Sequence, residues 1–184
     1  MAALAYLLTF NTYGSWLHGD ERGSVDRRHN SVLQERLAQN LSLERRRREL
    51  MTDAAYCLDD ARQRIVLQSI QSHVSVRQWQ LWAAHIRPTH GHVVVGGDIS
   101  PERMLNEFKS YASRALNATQ IDSPDRHRWA KHGSTKYLFT EQSIVQAVNY
   151  VIDEQGDRTV YYDSRPQSEP RPQGSWPSYD HGGV

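Results

Sequence analysis

The chain has a single cysteine, Cys57, in 184 residues. Neither a disulfide framework nor a cysteine-built zinc site can therefore form within it, and a reduced, cytoplasmic setting is the expectation. Lysine is almost as scarce. Lys109, Lys131 and Lys136 are the three lysines among 22 basic residues, and the formal net charge is +1. The whole-chain charge thus does not mark a nucleic-acid binder, although the planar fork of arginine suits bidentate contact with phosphate. No apolar run is long enough to span a bilayer. Met1–Phe10 is apolar but short, has no basic leader and runs into Asn11-Thr12-Tyr13-Gly14, so it reads as a first strand rather than a signal peptide. There is no internal repeat.

What is present reads as one domain. Leu4 to Tyr13 has the composition of a buried strand. Residues 14–30 carry three glycines and many charges and read as a loop. Residues 33–51 read as a charged helix with an unbroken basic run, Arg45, Arg46, Arg47 and Arg48, which is either a solvated face or a phosphate-contacting patch. Asp59 or Asp60 can cap a helix running to about Gln78. Two strands follow, 81–87 and 90–95, separated by Pro88-Thr89. Ser100-Pro101 opens the next helix, with proline at its first position. A short strand is expected at 135–139, a helix capped by Thr140 and closed by Gly156, and a last strand at 159–162. From Asp163 the composition is that of a polar tail. This gives a domain over residues 1–162, with a charged insertion at about 14–58, and a tail over 163–184. Strands and helices that interleave without a regular βαβ rhythm predict an α+β fold, an antiparallel sheet with helices packed on it.

Thr89-His90-Gly91-His92-Val93-Val94-Val95 carries the clearest chemistry. In a strand, residues i and i+2 project to one face, so His90 and His92 present two imidazoles side by side. Such a pair can begin a divalent-metal site, or it can be two polar histidines on a solvated face. A cupin-like site needs a glutamate shortly after the second histidine, where Gly96 and Gly97 stand. The chain is too short for the barrel of the metal-dependent amidohydrolases.

The helix from Thr140 gathers Ile144, Val145, Val148, Val151 and Ile152 on one stripe. Tyr150 falls almost opposite that stripe, with Ala147 and Glu154 along its side of the helix. It is a candidate nucleophile or a surface tyrosine covering a neighbouring element. Tyr111 is its rival, but it lies in line with Met104, Phe108 and Ala115, where core packing accounts for it. Lys109 and Arg114 lie off that stripe, free to face a phosphate backbone.

These segments, in this order over about residues 4–156, resemble the single-tyrosine HUH transposases, the class that includes the REP-associated tyrosine transposases. The resemblance is carried by Thr-His-Gly-His-Val-Val-Val, by Thr12-Tyr13-Gly14-Ser15-Trp16-Leu17 after the first strand, and by Phe108-Lys109-Ser110-Tyr111 through Asn117. The Trp129 segment and Ala147-Val148-Asn149-Tyr150 complete it. It implies a ferredoxin-like or RRM-like sheet, and Mg²⁺ or Mn²⁺ held by His90 and His92. It also implies that Tyr150 attacks a phosphate of single-stranded DNA to leave a 5′-phosphotyrosine and a free 3′-hydroxyl. The implied partner is single-stranded DNA with a hairpin. Monomer and homodimer both remain open, since some relatives exchange tyrosine helices between two copies.

Two residues depart from the family pattern. Gly91 stands where an apolar residue is usual, which predicts a locally loosened strand. Glu154 stands where relatives carry an amide ligand one turn past the tyrosine, so Glu154 is the expected third ligand, with the adjacent Gln155 turned towards the apolar stripe. A catalytically silent nucleic-acid-binding module and a metalloenzyme unrelated to DNA are the competing readings.

Overall fold

The computed structural model describes residues 2–15 and 41–166. Trp16 and Leu17, the rest of the charged loop, the start of the expected 33–51 helix, the chain from 167 onward and the side chain of Arg47 lie outside the described residues. The elements are β1 (Ala5–Thr12), α1 (Leu41–Glu49), α2 (Asp60–Arg77), β2 (Gln80–Ile86), β3 (His90–Gly96), α3 (Pro101–Ala118), β4 (Trp129–Leu138), α4 (Glu141–Asp153) and β5 (Tyr161–Asp163).

Local chemistry sets the helix starts. The Asp59 carboxylate accepts the Arg62 amide at α2, and the Ser100 hydroxyl accepts the Arg103 amide at α3 with Pro101 at the first helical position. Thr140 and Ser143 form a reciprocal capping box at α4. Each of these satisfies amides that a helix leaves without internal partners.

The strands form one antiparallel sheet in the order β4-β1-β3-β2-β5. Two βαβ units, β1-α2-β2 and β3-α3-β4, interleave so that each pair of parallel strands has an antiparallel strand between them. The fold is α+β and ferredoxin-like, as expected. Alternation along the strands splits the apolar residues between two cores. On one face Leu8, Phe10, Val93 and Val95 pack against α2 and α3 through Val66, Ile70, Met104 and Phe108. On the other face Ala5, Ala83 and Val94 pack against α4 through Ile144, Val148, Val151 and Ile152. His90 and His92 share the parity of Val94 and so face α4.

Three differences from the sequence reading have physical causes. β4 begins at Trp129, six residues before the expected strand, because it is an edge strand with a largely exposed, polar sequence and no apolar alternation. The chain from Asp163 to Pro166, expected to open the tail, is held to the body: Asp163 pairs with Ala83, and the Arg165 guanidinium donates to Asn149, Asp153 and Asp163. Gly91 does not loosen β3. It pairs with Phe10 across β1, and a methyl group placed there would lie 2.5 Å from the Phe10 ring, so the aromatic ring fills the space that a side chain would take.

No helix among the described residues is long and apolar enough to cross a membrane.

Candidate metal and tyrosine site

The β2–β3 turn brings His90 to its place. Arg87 N donates to His90 O at 2.8 Å, closing the hairpin around Pro88-Thr89. The Thr89 carbonyl then accepts the Thr12 amide at 2.8 Å, the Thr12 hydroxyl at 3.1 Å and the Ser15 hydroxyl at 3.1 Å. The turn is thus tied to the end of β1, and the first histidine stands on a braced hairpin rather than a free loop.

His90 and His92 lie with ring centroids 5.0 Å apart and planes 77° to each other. His90 is half-buried and has the Thr89 hydroxyl 3.2 Å from its Nδ1. His92 is buried, and the Thr9 hydroxyl sits 2.8 Å from its Nδ1, which leaves Nε2 as the nitrogen for a further partner. Burial pushes the His92 pKa down to about 4, with His90 and His85 adding like-charge repulsion. The imidazole is therefore neutral at pH 7 and keeps a lone pair for a ligand.

α4 supplies the other half of the site. The Tyr150 ring stands 5.6 Å from His92, edge-on at 75°, and remains 38% exposed, enough for a phenol to meet a substrate from solvent. Ala147 is buried in the core beneath α4 and does not open space beside the tyrosine.

Of the two residues weighed as third ligand, the structure brings Gln155 to the histidines. Its half-buried side chain lies beside His92, close enough to favour the charged imidazole, whereas Glu154 is exposed. The cause is where the helix stops. α4 ends at Asp153, and Glu154 is its C-cap at φ −108°, ψ 3°. The i+4 rule that aligns Glu154 with Tyr150 holds inside a helix, and beyond the cap the chain turns back. Gly156, at φ +75°, completes that turn in a conformation suited to glycine.

The donor chemistry of these residues fits a divalent ion. Among the described residues no group of three His, Cys, Asp or Glu side chains could hold one. The fit rests instead on two imidazoles, one held neutral by burial, and an amide oxygen beside it. This mixed nitrogen and oxygen set leaves room for water and phosphate oxygens around Mg²⁺ or Mn²⁺.

The residues expected to contact DNA are dispersed. Lys109 is buried, and its Nζ donates to the Ala130 carbonyl at 2.9 Å and the His132 carbonyl at 3.1 Å. It fastens α3 to β4 and does not face a phosphate backbone. The helical stripe alone hid this, because β4 covers the flank of α3 on which Lys109 lies. Arg114 is exposed and lies 4.9 Å above the Tyr111 ring. Tyr111 itself is 41% exposed and stacks on His73 at 4.0 Å, so it is not the core residue that its spacing suggested. It belongs to the α2–α3 side of the sheet, opposite His90 and His92. Arg77 and Arg103 on that side are both paired with Glu107. Arg45, Arg46 and Arg48 are exposed on α1.

No protein-family model matches the chain, and no curated protein matches it. Two solved structures are similar in fold. One is a REP-associated tyrosine transposase bound to a REP hairpin, 13% identical with a TM-score of 0.47, covering 84% of this chain and 67% of that one. The other is a candidate transposase from Deinococcus radiodurans, 12% identical with a TM-score of 0.40, covering 82% of this chain and 90% of that one.

Proposed function

We propose that this chain cleaves and rejoins single-stranded DNA as a single-tyrosine HUH transposase, or as a domesticated equivalent, with Tyr150 as the nucleophile. The observation that carries the reading is the meeting of Tyr150 with His92 at 5.6 Å, across two elements far apart in sequence, with His90 and Gln155 at the same place. A surface tyrosine with no such role has no need of a buried, neutral imidazole at its edge.

In this reading Tyr150 Oη attacks the scissile phosphorus. The new bond is Oη–P and the bond broken is P–O3′, so the strand on the 3′ side of the break stays on the tyrosine through its 5′-phosphate, as a phosphodiester, and the other strand leaves with a 3′-hydroxyl. The phenolic proton passes to solvent and the departing 3′ oxygen takes one up. Attack by a 3′-hydroxyl on the phosphotyrosine reverses both bond changes and joins strands, conserving the phosphodiester energy throughout. His90, His92 and the amide oxygen of Gln155 would hold Mg²⁺ or Mn²⁺, which when bound supplies Lewis-acid polarisation of the phosphate. Thr9 fixes the orientation of His92, as outer partners of metal-bound histidines do.

The test is covalent trapping. A labelled single-stranded oligonucleotide carrying a hairpin, incubated with the protein and Mn²⁺, should give an adduct that survives denaturation and needs the metal. Salt-sensitive binding without an adduct would instead favour a silent nucleic-acid-binding module. Metal binding without DNA affinity would favour an unrelated metalloenzyme.

A further inference from the structure

We propose that His85 and Arg87, at the end of β2, are positioning residues that set where Tyr150 and Gln155 stand relative to the histidine pair. The inference rests on the function proposed above and deepens it.

α4 ends poorly on its own. The last four carbonyls of a helix have no internal partners. α4 has no basic residue in its last turn, and Glu154, not a left-handed glycine, is its C-cap. Tyr150 is in that last turn, and Gln155 lies just beyond it. Both depend on a helix end that local sequence does not hold.

β2 supplies what is missing. His85 is fully buried, and its Nδ1–H donates to the Val151 carbonyl at 3.1 Å, one residue after Tyr150. The Val151 carbonyl can only accept, so Nδ1 is the ring nitrogen that carries the proton. Two residues on, on the same face, the Arg87 guanidinium donates to the Gln155 carbonyl and, at 3.5 Å, to the Asp157 carbonyl. Its positive charge also meets the negative end of the helix dipole. The two side chains thus take carbonyls before, at and after the turn that carries Gln155.

The same two residues are paired through the backbone with the metal-site strand. His85 is the cross-strand partner of His92, and Arg87 N bonds His90 O. One hairpin therefore carries the histidines on one strand and the clamp for the tyrosine helix on the other. The spacing between nucleophile and histidines is thereby tied to that hairpin, while Arg165 holds the Asn149 and Asp153 side chains of the same helix.

The experiment compares Arg87→Ala, Arg87→Lys, His85→Asn and His85→Phe with the wild type, each as the full chain. Adduct formation is read at saturating oligonucleotide, with Mn²⁺ affinity, oligonucleotide affinity and amide hydrogen exchange alongside. Arg87→Ala and His85→Phe should slow the adduct about 10-fold to 100-fold, the scale of a small misplacement of reacting groups. Mn²⁺ affinity should weaken, oligonucleotide affinity should hold within about twofold, and exchange should quicken at 151–157 while β1 and β3 stay protected. Arg87→Lys and His85→Asn, which keep a donor, should recover part of the rate. An unchanged rate and unchanged Mn²⁺ affinity would overturn the inference, as would a loss accompanied by equal deprotection of the whole sheet. Should the wild type form no adduct, the function reading falls, and the exchange measurement decides the clamp: unchanged protection at 151–157 overturns it.

Discussion

The Phe10 ring lies over Gly91, its direct cross-strand partner, on the face of the sheet opposite His90 and His92. A β-carbon at position 91 would meet the ring at 2.5 Å. Gly91→Ala should therefore destabilise the fold by about 1–3 kcal/mol through overpacking, read by chemical denaturation. Phe10→Leu should recover part of the loss in the double variant. Simple additivity of the two changes would show that they do not share that space.

Gln155 and Glu154 make opposite predictions for metal binding. Gln155→Ala should weaken Mn²⁺ binding by about 10-fold or more, while Glu154→Ala should leave it within about twofold. Calorimetric titration of Mn²⁺ into the two variants decides this. A larger loss in Glu154→Ala would make the carboxylate the third ligand.

Thr9 should act through His92. Thr9→Val removes the hydroxyl at Nδ1 and should cost about 10-fold to 100-fold in metal affinity, as loss of an outer hydrogen bond typically does. Thr9→Ser keeps the oxygen and should bind Mn²⁺ nearly as well as the wild type. Equal losses in both would point to packing rather than to the hydrogen bond.

Lys109 gives a prediction in pH. Burial lowers its pKa from 10.5 to about 8. Between those values the folded chain has released a proton that the unfolded chain still holds. Stability should therefore rise with pH across this window, by up to about 3 kcal/mol. The neutral amine keeps enough hydrogens to serve both the Ala130 and His132 carbonyls. The rise should be absent from Lys109→Met, so the difference between the two denaturation series isolates it. A flat difference would mean that the two carbonyls hold the ammonium charged.

These residues also show where reading the sequence succeeds. Strand periodicity was enough to put His90 and His92 on one face, and the helical stripe of α4 was enough to turn Tyr150 away from its core. Both are properties of one element, and one element can be read from its own repeat. Lys109, Tyr111 and Gln155 depend on what lies beside the element or where it ends. Lys109 falls off the apolar stripe of α3 yet is buried, because β4 lies along that flank. Tyr111 falls on the stripe yet leaves the core to stack on His73. Gln155 is misplaced by helical geometry because the helix has stopped two residues earlier. His85 and Arg87 gave no sequence signal at all, since their partners are backbone carbonyls 66 and 68 residues away.

The central claim is that Tyr150 becomes joined to DNA, and mapping the adduct tests it most directly. After incubation of the wild type with a single-stranded oligonucleotide and Mn²⁺, protease digestion and mass spectrometry should find the nucleotide on the peptide containing Tyr150. It should be attached through a 5′-phosphate, and Tyr150→Phe should abolish it while Tyr111→Phe leaves it intact. A nucleotide found on any other residue, or an adduct undiminished in Tyr150→Phe, would contradict the account.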